Sequence, residues 1–204
     1  MHVGRRGYVG VAPSGEGLLS VGLVTDMPTG RLGSPGAALE GALADYPELA
    51  ARLAQGARAW PVQGVGPLAC AARACGGDGF LLVGDAAGFC DPFTGEGIHR
   101  ALRGAELAAA AADRALRSDP MRVDGEPARV GAEYARARRA AFGAKERLTA
   151  LVQLFVRTPA LMSYAVERLN RRPELGGQLA NALGDLTPAG SVLGGRFLLG
   201  LLGP

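Results

Sequence analysis

One stretch constrains the fold more than any other: Phe80-Leu81-Leu82-Val83-Gly84-Asp85-Ala86-Ala87-Gly88-Phe89-Cys90-Asp91-Pro92-Phe93-Thr94-Gly95-Glu96-Gly97-Ile98. Phe80 to Val83 is an uninterrupted apolar run, the pattern of a strand covered on both faces. Asp85 follows at its carboxyl end, then small residues, then a Gly-flanked loop that opens a helix from Ile98 to about Arg117. A carboxylate and a helix N-terminus are thereby expected at one rim of a sheet, where open α/β sheets hold ligands. The N–H groups at such a helix start carry about half a positive charge. Asp85 can accept hydroxyl hydrogen bonds from a polyol or ribose. Ala86, Ala87 and Gly88 leave the backbone open to a flat or extended ligand.

The flanking chain divides by its punctuation. Tyr8–Pro13 and Leu18–Val24, joined by Ser14-Gly15-Glu16-Gly17, predict a β-hairpin that joins further strands. Ser34-Pro35 and Pro47-Glu48 open two short helices. Arg58 to Leu68 is extended and broken by prolines, with Trp60, the single tryptophan, expected as a buried structural residue. Gly76-Gly77-Asp78-Gly79 is a tight turn before the central strand. In the helix after Gly97, the residues Ile98, Ala101, Leu102, Ala105, Ala108, Ala109, Ala112 and Leu116 form one apolar stripe. Glu96/Arg100 and Asp113/Arg117 are acid-first pairs four apart, Thr94 or Gly95 is the expected cap, and Asp119-Pro120 the stop.

A second helix is expected from Ala128 to Val156, its arginines (Arg129, Arg136, Arg138, Arg139, Arg147) forming a solvated basic side. Helices opening at Thr158-Pro159, Pro173-Glu174 and after Thr187-Pro188 complete a helical C-terminal half. The apolar tail from Val192 to Leu202 reads as core packing, with a membrane-surface or partner contact as the alternative. The expected class is α/β (α+β), with strands and short helices ahead of a helical C-terminal half. Its expected divisions are 1–75, 76–118 and 119–204.

The net charge of +3, without a basic tail, argues against a nucleic-acid partner. Three cysteines with no Cys-x-x-Cys pair, beside only His2 and His99, argue against a zinc site and for a reduced, cytoplasmic setting. The N-terminus has no apolar run of the signal-peptide kind. His99 reads as a surface helix residue and Cys90 as a small packed one.

Leu82-Val83-Gly84-Asp85-Ala86-Ala87-Gly88, with Asp91-Pro92-x-Thr94-Gly95-Glu96-Gly97-Ile98, resembles the second FAD-binding motif of the FAD-dependent monooxygenase superfamily. It is most similar to the branch of geranylgeranyl reductases and flavin-dependent halogenase-like oxidoreductases. The resemblance implies a partial FAD/NAD(P)-binding domain with a substrate-side β-sheet, FAD with NAD(P)H as reductant, and hydride transfer through FAD N5. The implied substrate is small and apolar, isoprenoid-like if the chain is a reductase; oxygen chemistry, monooxygenase or halogenase in type, is the alternative. It also implies that Asp85 is the ribityl or pyrophosphate-side ligand and that Pro92 walls the ring. Gly95, Gly97 and Ile98 would supply backbone donors, and Gly84, Ala86 and Gly88 the close approach.

The family's opening Gly-x-Gly-x-x-Gly unit, which grips the ADP half, has no counterpart here; Gly30-Arg31-Leu32-Gly33 and Gly76–Gly79 have neither its spacing nor its context. The chain therefore resembles the C-terminal half of such a flavoprotein. Four expectations follow, beginning with a truncated or excised piece, a split protein completed by a separate Rossmann chain, and a non-catalytic remnant. A helical interaction protein whose motif binds nothing is the last.

Overall fold

The computed structural model describes residues 1–4, 7–26, 33–117 and 126–203, with side chains from 129 onward in the last span. The Asp119-Pro120 stop and Gly30–Leu32 lie outside the described residues. The chain is α+β, strongly helical with small sheets. It divides into two compact units, Met1–Pro67 with Gln153–Tyr164, and Leu68–Val152 with Ala165–Pro204.

In the first unit β1 (His2–Gly4), β2 (Gly7–Pro13) and β3 (Leu19–Thr25) form an antiparallel sheet in that order. The expected hairpin is there, with Tyr8 opposite Val24 and Gly10 opposite Gly22, and β1 is the further strand it needed. Its turn closes through Ser14 N–H to Leu18 O (2.9 Å) and Leu18 N–H to Gly15 O (2.8 Å). Tyr8 and Val9 are the buried residues of β2.

Helix α1 (Pro35–Leu43) begins as its sequence dictates, the Ser34 hydroxyl accepting from Ala37 N–H at 3.2 Å ahead of a first-turn proline. Helix α2 (Pro47–Leu53) follows. Residues 58–67 form no regular element, as their prolines require. Trp60 corrects the expectation of a buried tryptophan: it is 69% exposed. The segment that carries it is anchored instead by Arg58 on Glu40 (2.9 Å) and by Gly64 against Pro35.

The second unit holds β4 (Cys70–Ala71), β5 (Gly76–Gly77), β6 (Phe80–Leu81), β7 (Gly88–Phe89), α3 (Gly97–Arg117), most of α4 (Glu126–Val156), the end of α5 (Pro159–Arg171), α6 (Pro173–Leu183) and α7 (Gly195–Leu202). Every strand pair is antiparallel: β4 with β7, β5 with β6. The long buried strand expected at Phe80–Val83 is instead the short second arm of a hairpin turned at Asp78-Gly79, with Phe80 47% and Val83 37% exposed. Apolar residues alone do not distinguish a strand between two layers from a strand on one.

Helix α4 supplies the core stripe. Gly131, Tyr134, Arg138, Phe142, Lys145, Leu148 and Thr149 are all buried and follow helical spacing. Gly131 lets the β5–β6 hairpin lie directly on the helix; a Cβ there would stand 2.7 Å from Gly77 N and 2.8 Å from Gly76 C. The Tyr134 hydroxyl donates to Leu82 O at 2.6 Å, fixing the strand end. Arg138 departs from the expected solvated basic side, because its guanidinium lies over the Tyr134 and Phe142 rings, 5.8 and 5.1 Å from their centroids. In the tail, Val192, Phe197 and Leu201 are buried while Leu199 and Leu202 are exposed, so it packs on one side. Among the described residues no helix is long and apolar enough to cross a membrane.

Candidate functional site

The corner from Gly84 to Ile98 is two tight turns meeting on α3. After the extended Val83, Gly84 takes φ +55°, a left-handed conformation that favours glycine, and starts a 3-10 turn through Ala87. A Cβ on Gly84 would stand 3.3 Å from the Ala101 Cβ, so the turn rests on the second turn of α3. Asp85 is exposed, and its carboxylate has no hydrogen-bond partner among the described residues. Ala86 is exposed beside it, while Ala87 is buried. Gly88 (φ +140°) leaves the turn and pairs with Ala71 in the β4–β7 ladder. Thiols brace the same turn from behind: Cys70 Sγ donates to Asp85 O (3.2 Å) and Cys75 Sγ to Ala87 O (3.4 Å).

The second turn is set by Asp91, whose carboxylate accepts from Phe93 N–H at 2.8 Å and caps a 3-10 turn over Pro92–Thr94. Pro92 is exposed. Gly95 takes φ +69°, and its N–H donates to Pro92 O at 3.0 Å. Gly95 is thus not the free backbone donor expected of it, because the turn consumes its N–H. Gly97 and Ile98 precede the first helical bond, Arg100 N–H to Glu96 O (3.0 Å), so they remain the donors at this end. Glu96, rather than Thr94 or Gly95, is the residue that starts the helix. Ile98 is 79% exposed.

Beneath the corner lies a polar cluster that the sequence did not announce. The Glu96 carboxylate turns inward, away from Arg100, which pairs with Glu146 at 2.9 Å instead. Glu96 Oε1 accepts from Thr149 Oγ1 (2.8 Å) and Thr94 Oγ1 (3.1 Å), and Oε2 lies 3.9 Å from Lys145 Nζ. Lys145, the single lysine, is itself buried. It donates to Ala182 O (2.9 Å), Leu183 O (2.7 Å) and Asp185 Oδ1 (2.8 Å), so it caps the C-terminus of α6. These charges neutralise one another, which makes the cluster structural: it fixes the α3 start against α4 and α6. The signal for it was the spacing of Tyr134, Phe142 and Leu148, which puts Arg138 and Lys145 on the buried face of α4.

The apolar stripe of α3 is also corrected. The buried face runs through Gly104 and Ala111, with Ala101 and Ala108 partly covered, whereas Leu102 (66%) and Leu116 (86%) join Ile98 in solvent. Gly104 selects that face, for a Cβ there would meet Arg138 Nη1 at 3.2 Å and Gly84 N at 3.7 Å. The Asp113–Arg117 pair forms as expected, at 2.8 Å. His99 is a surface residue, its Nδ1 3.9 Å from Asp185 Oδ2. Cys90 is exposed rather than packed.

Chemically, the corner offers a carboxylate unpaired among the described residues, small residues around it, and an open helix N-terminus within two turns of the same helix. Such a set can accept hydroxyl hydrogen bonds at the carboxylate and stabilise negative charge at the helix end. The described residues contain no parallel strand pair and hence no βαβ crossover for a dinucleotide's ADP half. No family model matches the chain, and neither a curated protein nor a solved structure matches it.

Proposed function

We propose that this chain is the flavin- and substrate-side part of an FAD-dependent oxidoreductase, acting with a glycine-rich Rossmann βαβ unit. The supporting observation is Asp85: an exposed carboxylate without a partner among the described residues, held on a glycine-shaped turn that packs on α3 near its open N-terminus. When bound, FAD would supply the hydride chemistry, with NAD(P)H as its reductant. Asp85 would accept hydroxyl hydrogen bonds from the ribityl chain, Pro92 would wall the ring, and Gly97 and Ile98 N–H groups would stabilise negative charge at its edge. Gly84, Ala86 and Gly88 would permit the close approach. The substrate class is small and apolar, reduced at an isoprenoid-like double bond or oxygenated in a monooxygenase- or halogenase-type reaction.

A second reading, a non-catalytic partner subunit, draws on the exposed apolar side chains of α3, Ile98, Leu102 and Leu116. Visible absorbance of the purified chain mixed with FAD, alone and with a chain carrying the glycine-rich βαβ unit, tests both. Uptake of flavin that Asp85→Ala weakens roughly tenfold or more, the loss of one or two charge-assisted hydrogen bonds, supports the flavin site. Complex formation without flavin leaves the partner-subunit reading. No uptake under either condition overturns the flavin assignment.

A further inference from the structure

We infer that the cleft between the Ala72–Asp78 segment and α4 binds a phosphate group, free or carried on a small molecule, through Arg73, Arg138 and Arg139. The cleft encloses about 540 Å³ and lies wholly in the second unit. That volume is within the usual range for small-ligand sites, ~300–1,000 Å³, and exceeds what a bare phosphate fills. Its walls are largely glycine and alanine, including Gly76, Gly77 and Ala135, so charged groups reach it past little side-chain bulk.

Arg138 is the decisive residue. It is 5% exposed and lines the cleft. No acid or carbonyl accepts from its guanidinium among the described residues; its buried Nη1 lies against Gly104 of α3 and the rest of the group is left for the cleft side. A buried cation left in that state is costly unless a counter-charge completes it. The two aromatic rings on which it stacks offset only part of that cost, about 0.5–2 kcal/mol each. Lys145, on the same face of the same helix, shows the contrast, with three acceptors within 2.9 Å.

Arg73 and Arg139 are exposed at the cleft and form no ion pair among the described residues. Two acids, Asp78 and Glu146, also line it, and Glu146 is neutralised by Arg100 at 2.9 Å. Three guanidiniums against one uncommitted carboxylate suit a multiply charged oxyanion. Phosphate presents enough oxygens for three planar forks, which a carboxylate does not. Of the flavin corner the cleft shares only the buried Ala87 and none of the residues proposed to hold the flavin, so the two sites are tested separately.

Isothermal titration of the full chain with inorganic phosphate, pyrophosphate and glycerol phosphate, against chloride at matched ionic strength, tests this. Saturable binding of at least one of the three is expected; preference for free phosphate or for a phosphoester identifies the source. Arg73→Ala and Arg139→Ala, both at exposed positions, should each weaken it by about tenfold, and Arg138→Met should abolish it. If Arg138→Met does not fold, the Arg73→Ala/Arg139→Ala double variant decides. Absence of saturable binding to all three probes, or binding that this double variant leaves unchanged, overturns the proposal.

Discussion

Replacing Lys145 with methionine keeps the apolar stem and removes the ammonium. Three hydrogen bonds go with it: two to the terminal carbonyls of α6 and one to Asp185. Ala182 is fully buried, so its carbonyl regains no water, whereas the Asp185 side chain is 25% exposed and recovers part of its solvation. Glu96 Oε2, already without a hydrogen bond, loses the cation at 3.9 Å. Breaking a buried ion pair from one side costs about 3–5 kcal/mol, and the stranded carbonyls keep the estimate in that range. In a chain of this length that corresponds to a fall in Tm of about 6–20 °C. Urea denaturation followed by far-UV circular dichroism reads the loss through the helices of the second unit. Trp60 fluorescence, from the first unit, shows whether the two units melt together. Adding Glu96→Gln should return part of the loss, with a coupling of about 0.5–3 kcal/mol, because the stranded carboxylate is then neutral. A single-variant loss below about 1 kcal/mol, or strict additivity with Glu96→Gln, would show that these charges do not act as one unit.

Two smaller perturbations probe the frame around the site. Gly131→Ala places a methyl against the Gly76–Gly77 backbone and should destabilise by about 1–3 kcal/mol, with amide shift changes concentrated in the β5–β6 hairpin. An unchanged urea midpoint would rule out that close approach. Tyr134→Phe strands Leu82 O and should cost about 1–2 kcal/mol in the same measurement, with amide exchange accelerated at Leu82 and its neighbours.

Local chemistry was legible where a few neighbouring residues decide the outcome. Ser34-Pro35, Pro47, Thr158-Pro159 and Pro173 each open the helix they announce, and the Gly15–Gly17 turn folds the hairpin it implies. The tight turns at Gly84 and Gly95 likewise follow from glycine at positive φ. What eluded the sequence depends on partners distant along the chain. Phe80–Val83 has the composition of a two-sided strand, but among the described residues it pairs as a strand only with the Gly76–Gly77 arm. The face α3 buries was chosen by Gly104, not by its larger apolar residues, because only a glycine admits Arg138 and the Gly84 backbone. Arg138 and Lys145 read as solvated charges by type, yet their positions on α4 make them core residues. Glu96 was matched to Arg100 by spacing, but Thr149 and Lys145 hold its carboxylate instead.

The burial of the single lysine also decides how this protein meets amine-directed chemistry. Acylating labels, cross-linkers and lysine-modifying enzymes find no side-chain amine on the folded surface. Lys145 enters such reactions only when its grip on the α6 carbonyls opens, so its labelling rate measures that opening at a single, chemically unambiguous position.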